Sequence, residues 1–220
     1  MEEINVSGYF ISFEGSDGSG KTSVLKKIIE FLDQKGQQAK YLLTREPGGN
    51  KISEEIRQVI LDVKNTQMSA KTEALLYAAA RSQHLEENIL PALKENKLVL
   101  CDRFVDSSIV YQGRARGLGM DVVAQLNEFA TDKLSPELTI YFDVDPRVGL
   151  ARIVAGRTNE VNRLDQEDLS FYDDVRAAYQ ELAQKYPDRI VTINANQELE
   201  QVVADVFKVL AKRVPAFFEA

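Results

Sequence analysis

One cysteine (Cys101) and one histidine (His84) stand among 220 residues. A lone thiol cannot close an internal disulfide or build a multi-cysteine metal site. A lone imidazole with no nucleophile or second ligand paired to it reads as structural. No apolar run approaches the roughly 20 residues that a membrane-crossing helix needs. The opening MEEINVSGYF is acidic and lacks the basic-then-apolar layout of a secretory signal. The expected location is therefore the cytoplasm, with no membrane partner. Positive charge is also scarce, with 27 Lys and Arg against 34 Asp and Glu and a formal net charge of −7. A domain that grips a nucleic-acid backbone carries a basic footprint, and none is present globally, so nucleic acid is not an expected partner. A polyanionic ligand would have to be held by a local cluster of cations against an unfavourable overall field. Finally, no repeat, low-complexity tract or long linker divides the chain. Residues 1–220 read as a single domain, with 44% hydrophobic and 28% charged residues fitting a globular protein with a sizeable core.

What is present is an alternation. Short apolar runs at Tyr9–Glu14, Ala39–Thr44, Lys97–Asp102, Leu138–Asp143 and Arg189–Asn194 read as strands, and their near-continuous apolar character suits parallel strands buried on both faces. Amphipathic stretches at Lys21–Gln34, Ile52–Asp62, Thr72–Glu95, Val122–Thr131, Arg147–Ala155, Leu169–Tyr186 and Leu199–Val214 read as helices. Alternating strand and helix predicts an open parallel sheet with helices on both faces. In such sheets ligands gather beyond the C-terminal strand ends. The segments there are GSDGSGKT, REPGG and RFVDSS, which bring Arg45 and Arg103 to one edge.

The first of these segments is specific. In FEGSDGSGKTS (Phe13–Ser23), Gly15, Gly20, Lys21 and Thr22 match G-x-x-x-x-G-K-[ST], between a predicted strand and a predicted helix. Gly15, Gly18 and Gly20 let the backbone approach a ligand closely, and loop N–H groups with the helix N-terminus cradle phosphate. Gly15, Ser16, Asp17, Gly18, Ser19, Gly20, Lys21 and Thr22 are thus the expected ATP-binding residues, with Lys21 on the β- and γ-phosphates and the Thr22 hydroxyl on Mg²⁺. Asp102, ending the third strand, is a second candidate on the magnesium side. The expected fold is α/β, a P-loop NTPase-like three-layer α/β/α sandwich with a parallel sheet of about five strands and a short lid. Switches, motors and kinases all share this loop. No N-K-x-D or T-K-x-D segment is present to read a guanine, and no added module suits a motor. A small-molecule kinase needs a second anion site, and Arg45, Arg57 and Arg103 are the candidates; the planar guanidinium makes bidentate bonds to phosphate.

Five further stretches carry a resemblance. TREPGG (Thr44–Gly49), TEALLYAAARSQH (Thr72–His84), DRF (Asp102–Phe104), DSSIVYQG (Asp106–Gly113) and NRLDQED (Asn162–Asp168), in this order after the P-loop, resemble the thymidylate kinase family. The resemblance implies transfer of the ATP γ-phosphate to dTMP, giving dTDP and ADP in dTTP synthesis, by a homodimer using Mg²⁺. It implies that Arg45, Arg57 and Arg103 meet the acceptor phosphate, that Tyr77 stacks on thymine, and that Arg81 bonds the base edge. It further implies that Gln112 reads the base, that Tyr111 crowds out a 2′-hydroxyl, and that Ser107, Ser108 and Pro47 line the same pocket. Many relatives carry Phe where this chain has Tyr77, so its hydroxyl has no assigned role. The bond before Pro47 is a candidate cis peptide. Asp17, inside the P-loop, is implied to face the acceptor and bind its 3′-hydroxyl; Glu14 ranks below it.

Some members of the family place a basic residue inside the P-loop, where this chain has Asp17 and Gly18. The resemblance then implies the bacterial arrangement, in which a mobile lid at about 152–166 supplies the charge and excludes water. Arg152, Arg157 and Arg163 are its arginines, Arg163 best placed and Arg157 next, with Asp165 and Glu167 as orienting groups. No general base is evident, and an anionic acceptor phosphate needs none. Two other readings stay open: a kinase for UMP, CMP or dUMP, and a non-catalytic ATP-binding regulator. Cys101 reads as an inert core residue, and the sequence does not decide where Phe217 and Phe218 dock.

Overall fold

The computed structural model describes residues 7–156 and 168–219. Five parallel strands form one sheet: β1 (Tyr9–Glu14), β2 (Tyr41–Arg45), β3 (Leu98–Asp102), β4 (Leu138–Asp143) and β5 (Ile190–Asn194), in the order β2-β3-β1-β4-β5. The chain steps from β1 outward to β2, returns through β3, and crosses to the far side for β4. The loop after β1 therefore sits where the winding reverses, the usual place for a ligand.

The apolar runs work as two-sided core in the three central strands. Along β1, Ile11 and Phe13 face one layer with Leu98, Leu100, Leu138, Ile140 and Phe142. Phe10 faces the other, with Val99 and Cys101. The first layer is closed by α1 (Lys21–Gln34) through Val24, Leu25, Ile28 and Leu32, and by α9 (Leu199–Arg213) through Val202, Val206 and Leu210. The other is covered by a π-helical segment at Leu85–Ile89 and α4 (Leu90–Lys94), which continue the chain from α3 (Ala70–His84), and by α8 (Leu169–Lys185). The π turn precedes Pro91, which has no N–H to return to the preceding turn. Cys101 is fully buried and its thiol is pushed well up by burial, as an inert core residue requires. The last short helix, α10 (Pro215–Phe218), brings Phe218 flat onto Phe31 and edge-on to Phe207, so the tail caps this core.

Two expectations are corrected. The outer strands β2 and β5 are only partly covered, so a two-sided core holds for the centre of the sheet alone. The segment after β3 is helical, as α5 (Val105–Ser108) and a π-helical stretch at Ile109–Ala115, packed between α6 (Met120–Ala130) and α8. Residues 152–156, at the start of the expected lid, end the helix α7 (Pro146–Gly156), close to the helix read at Arg147–Ala155; the rest of the expected lid, with Arg157, Arg163, Asp165 and Glu167, lies outside the described residues. Helix starts follow their caps. Asn50 accepts from the Ser53 N–H at the head of α2 (Lys51–Leu61), Ser69 from Thr72 at α3, and Asp168 from Phe171 at α8.

Candidate active site

The P-loop leaves β1 and enters α1 through glycines in the left-handed region. At Gly18 (φ 74°) a Cβ would stand 2.2 Å from the Gly149 carbonyl oxygen of α7, so only glycine lets these backbones meet. Lys21 opens α1. Its Nζ donates to the carbonyls of Gly15 (2.9 Å) and Ser16 (3.1 Å), which curls the loop around the ammonium group. Burial, then the nearby Arg103 charge, push the Lys21 pKa down to about 8.

Residues 17–23 line a cleft with Asp102, Arg103, Arg152, Gln197, Leu199 and Val202. Gly15 and Ser16, also expected to bind ATP, stand outside this lining. Arg152 spans the cleft's edge, donating to the carbonyls of Ala195 (2.8 Å) and Gln197 (3.3 Å). Asp102 Oδ1 is buried here without a hydrogen-bond partner among the described residues, in the same cleft as the exposed Thr22 hydroxyl. An acceptor oxygen of that kind beside a hydroxyl and a phosphate loop suits a hard divalent cation such as Mg²⁺.

A second cleft opens on the other side of Asp17 and Arg103. Its lining includes Pro47, Arg57, Tyr77, Arg81, Ser107, Ser108, Tyr111 and Gln112. The Glu46–Pro47 peptide is cis, in line with the candidate raised above. The Pro47 carbonyl accepts from both Arg45 and Arg57, each at 3.0 Å, which draws the two guanidinium groups together. Arg45 is exposed and also pairs with Glu54 at 2.9 Å; it stands outside the cleft lining. Burial, then the Arg45 charge, lower the Arg57 pKa.

Tyr77 and Arg81 share one face of α3, one turn apart. Arg81 is buried and committed inward: Nε donates to Glu46 (2.7 Å), Nη1 to Asn127, and Nη2 to the Phe104 carbonyl (3.2 Å). His84 is buried too, bonded to Glu46 and to Thr44, which makes it structural.

The clefts share Asp17 and Arg103, which form an ion pair at 2.7 Å. Arg103 reaches this point because its backbone takes φ 69°, with its N–H donating to the Phe13 carbonyl at 3.0 Å. Its side chain also donates to Ser107 Oγ (3.3 Å) and lies over the Tyr111 ring, 5.4 Å from the centroid. Beneath it, buried Glu14 accepts from the Phe104 N–H, Ser107 Oγ and the Tyr179 hydroxyl. Burial, then Asp106, push the Glu14 carboxyl up to about 7. An acid whose folded pKa lies above its unfolded value makes the fold less stable as pH rises from 4.5 to 7. Four residues of the site have no role read from the sequence: Glu46 and Glu73, which lie inside TREPGG and TEALLYAAARSQH, and Asn127 and Tyr179, which lie in no quoted motif. Each holds a side chain or backbone group that does face a cleft.

A family model described as thymidylate kinase matches residues 13–206. The thymidylate kinase of Ligilactobacillus salivarius (strain UCC118) is 58% identical over 205 residues, 93% of this chain and 98% of that one. The thymidylate kinase of Latilactobacillus sakei subsp. sakei (strain 23K) is 58% identical over 212 residues, 96% and 99% of the two chains. Among solved structures, that of thymidylate kinase from Ehrlichia chaffeensis superposes with a TM-score of 0.77 at 33% identity, covering 93% of this chain and 99% of that chain. The chain belongs to the thymidylate kinase family.

Proposed function

We propose that this site transfers the γ-phosphoryl group of ATP to the 5′-phosphate of dTMP. An oxygen of the acceptor phosphate bonds to the γ-phosphorus, the bond to the β-phosphate bridge breaks, and ADP and dTDP leave. The observation that carries this reading is the shared Asp17–Arg103 pair: a phosphate-loop cleft and an arginine-bearing cleft meet at one point. A nucleotide regulator needs only the first.

Within this reading the P-loop amides and Lys21 hold the β- and γ-phosphates, and Arg152 closes the ATP side. Thr22 and Asp102 would hold Mg²⁺, which when bound would supply positive charge to the transferring phosphate. Arg57 and Arg103 take the acceptor phosphate, with Arg45 swinging in from the rim. Tyr77 supplies the stacking face, and Arg81 with Gln112 reads the pyrimidine. Tyr111 lies against the sugar, and Asp17 takes its 3′-hydroxyl. Arg163, then Arg157, are proposed as lid charges on the moving group. The acceptor is already anionic, so positioning and charge do the work of a general base.

The test is ADP release with ATP and Mg²⁺ in the presence of dTMP, dUMP, UMP, CMP or AMP. The expected result is strong preference for dTMP. Preference for another monophosphate keeps the fold and overturns the base pocket; no turnover with any of them leaves a regulator.

The reading includes a homodimer. Val59 on α2, Leu75 on α3, and Val122 and Phe129 on α6 are 47%, 57%, 62% and 86% exposed on three neighbouring helices. Apolar side chains grouped so suit a self-complementary contact. Phe129→Glu is expected to halve the mass found by light scattering at micromolar protein. A dimer that persists unchanged removes this face from the interface. The reading also includes a cytoplasmic place of action; no described helix is long and apolar enough to cross a membrane.

A further inference from the structure

Gln112 faces the acceptor cleft, yet its amide is not free to choose which end it shows. Behind it, on α3, Glu73 is only 1% exposed and lies outside the cleft lining. Gln112 Nε2 donates to Glu73 Oε1 at 2.8 Å, while Gln112 Oε1 accepts from Ser108 Oγ at 3.0 Å. The same Glu73 oxygen also receives Arg116 Nε at 3.4 Å, and the Arg116 guanidinium lies over the Phe171 ring, 5.1 Å from its centroid. A carboxylate against a guanidinium accepts hydrogen bonds and does not donate them. Turning the Gln112 amide over would set Oε1 against that carboxylate oxygen, two buried acceptors with no proton between them. An unmade bond of this kind in a buried site is costly, and more so beside a charge. Ser108, by contrast, can donate or accept and tolerates either end.

We propose that Glu73 is a specificity-determining positioning residue: by taking a hydrogen from Gln112 Nε2 it fixes the donor–acceptor order that the cleft presents to a pyrimidine. The proposal rests on the proposed role of Gln112 in meeting the base. Its consequence follows from the bases themselves. Thymine and uracil offer an acceptor at O4 beside a donor at N3–H. Cytosine offers the reverse, a donor at the 4-amino group beside an acceptor at N3. A primary amide that turned freely would match both by flipping. One held by Glu73 matches a single order, so a flexible hydrogen-bonding side chain becomes a discriminating one. Arg81 adds to this without being able to flip, since its guanidinium has donors only and three of them are tied to Glu46, Asn127 and Phe104. Loss of the Glu73 lock therefore relaxes discrimination in part.

Glu73→Gln keeps the size and shape but can donate as well as accept, so it permits the flip. The expected result is a rise of at least tenfold in the ratio of kcat/KM for dCMP to that for dTMP. It should arise mainly from a higher KM for dTMP and a lower KM for dCMP, with the KM for ATP within twofold of the parent. Glu73→Asp, still acceptor-only, should hold the ratio near the parent value even if turnover falls. Equal losses with dTMP and dCMP in Glu73→Gln, at constant ratio, would make Glu73 a packing residue and overturn the proposal. If loss of the Glu73 charge beside Arg116 prevents folding, Glu73→Gln combined with Arg116→Gln removes the Arg116 charge as well. In the double variant a raised ratio again supports the lock, and a constant ratio again overturns it. Gln112→Leu tests the role of Gln112 itself. If it leaves the ratio unchanged, Gln112 does not read the base and that role fails. If it moves the ratio while the Glu73 variants do not, the lock alone is wrong.

Discussion

Lys21→Met is expected to lower kcat by about 10²–10³-fold, the loss seen when one preorganised group aimed at developing charge is removed, without unfolding the protein. Methionine keeps the length and apolar stem of lysine and deletes the charge. That charge is uncomfortable in the free protein. The ammonium is buried, held by two loop carbonyls, and faces Arg103 nearby. Its pKa is pushed down to about 8 from 10.5. A lysine whose folded pKa lies below its unfolded value costs the fold stability while it is charged. That cost is fully present below about pH 8, fades as pH rises to 10.5, and amounts to about 3 kcal/mol. Removing the ammonium relieves it and sacrifices the two hydrogen bonds, so the melting temperature at pH 7 should hold or rise while turnover collapses. The same shift gives a pH signature. Phosphate favours the charged lysine, so the KM for ATP should climb above about pH 8 in the parent protein and stay flat there in Lys21→Met. A Lys21→Met protein with near-parent kcat would take Lys21 out of the chemistry.

Local signals explain why so much of the sheet and phosphate loop was legible. The helix Lys21–Gln34 and the strands Tyr9–Glu14 and Leu138–Asp143 have the bounds read from sequence, because a glycine-rich start or a compact apolar run marks each one. Residues 105–115 were not legible as helix. SSIVYQG is rich in β-branched residues and contains Gly113, so its intrinsic preference is not helical. Packing between α6 and α8 decides its conformation instead. The site divides in the same way. Gly15, Gly20, Lys21, Arg45 and Arg103 belong to short motifs beside strand ends. Glu46 and Glu73 also lie in motif stretches, yet what they hold cannot be read there, since their partners are remote in sequence. Arg81 finds Glu46 across 35 positions and Asn127 across 46, and Gln112 finds Glu73 across 39. Nothing local announces which distant side chain a buried carboxylate will hold. Arg45 shows the converse case: its motif is plain, yet the fold leaves it at the rim, paired with Glu54.

Arg103→Ala should lower kcat/KM for dTMP by about 10³-fold, or roughly 4 kcal/mol of transition-state stabilisation. Among the described residues, Arg103 is the one cation that lines both clefts, so in the proposed reading it serves both phosphates. In that reading its loss removes a bidentate charged contact to the acceptor and a positive charge beside the γ-phosphate, so KM for dTMP should rise and kcat should fall together. Lysine should not restore the activity, because a point charge on a flexible stem cannot reproduce the fork that meets Asp17 and Ser107. The backbone permits a sharper comparison. At φ 69° any side chain with a Cβ is strained, by about 1–2 kcal/mol. Glycine carries no such strain, so Arg103→Gly should be more stable than Arg103→Ala while being equally inactive. Thermal unfolding and steady-state kinetics on the pair would separate two things that the native residue combines. If both variants kept activity within tenfold of the parent, Arg103 would be a structural partner of Asp17 and no more. If they lost activity equally and differed in stability as stated, the left-handed turn at Arg103 is a cost that the fold bears to deliver a guanidinium to the junction of the two clefts.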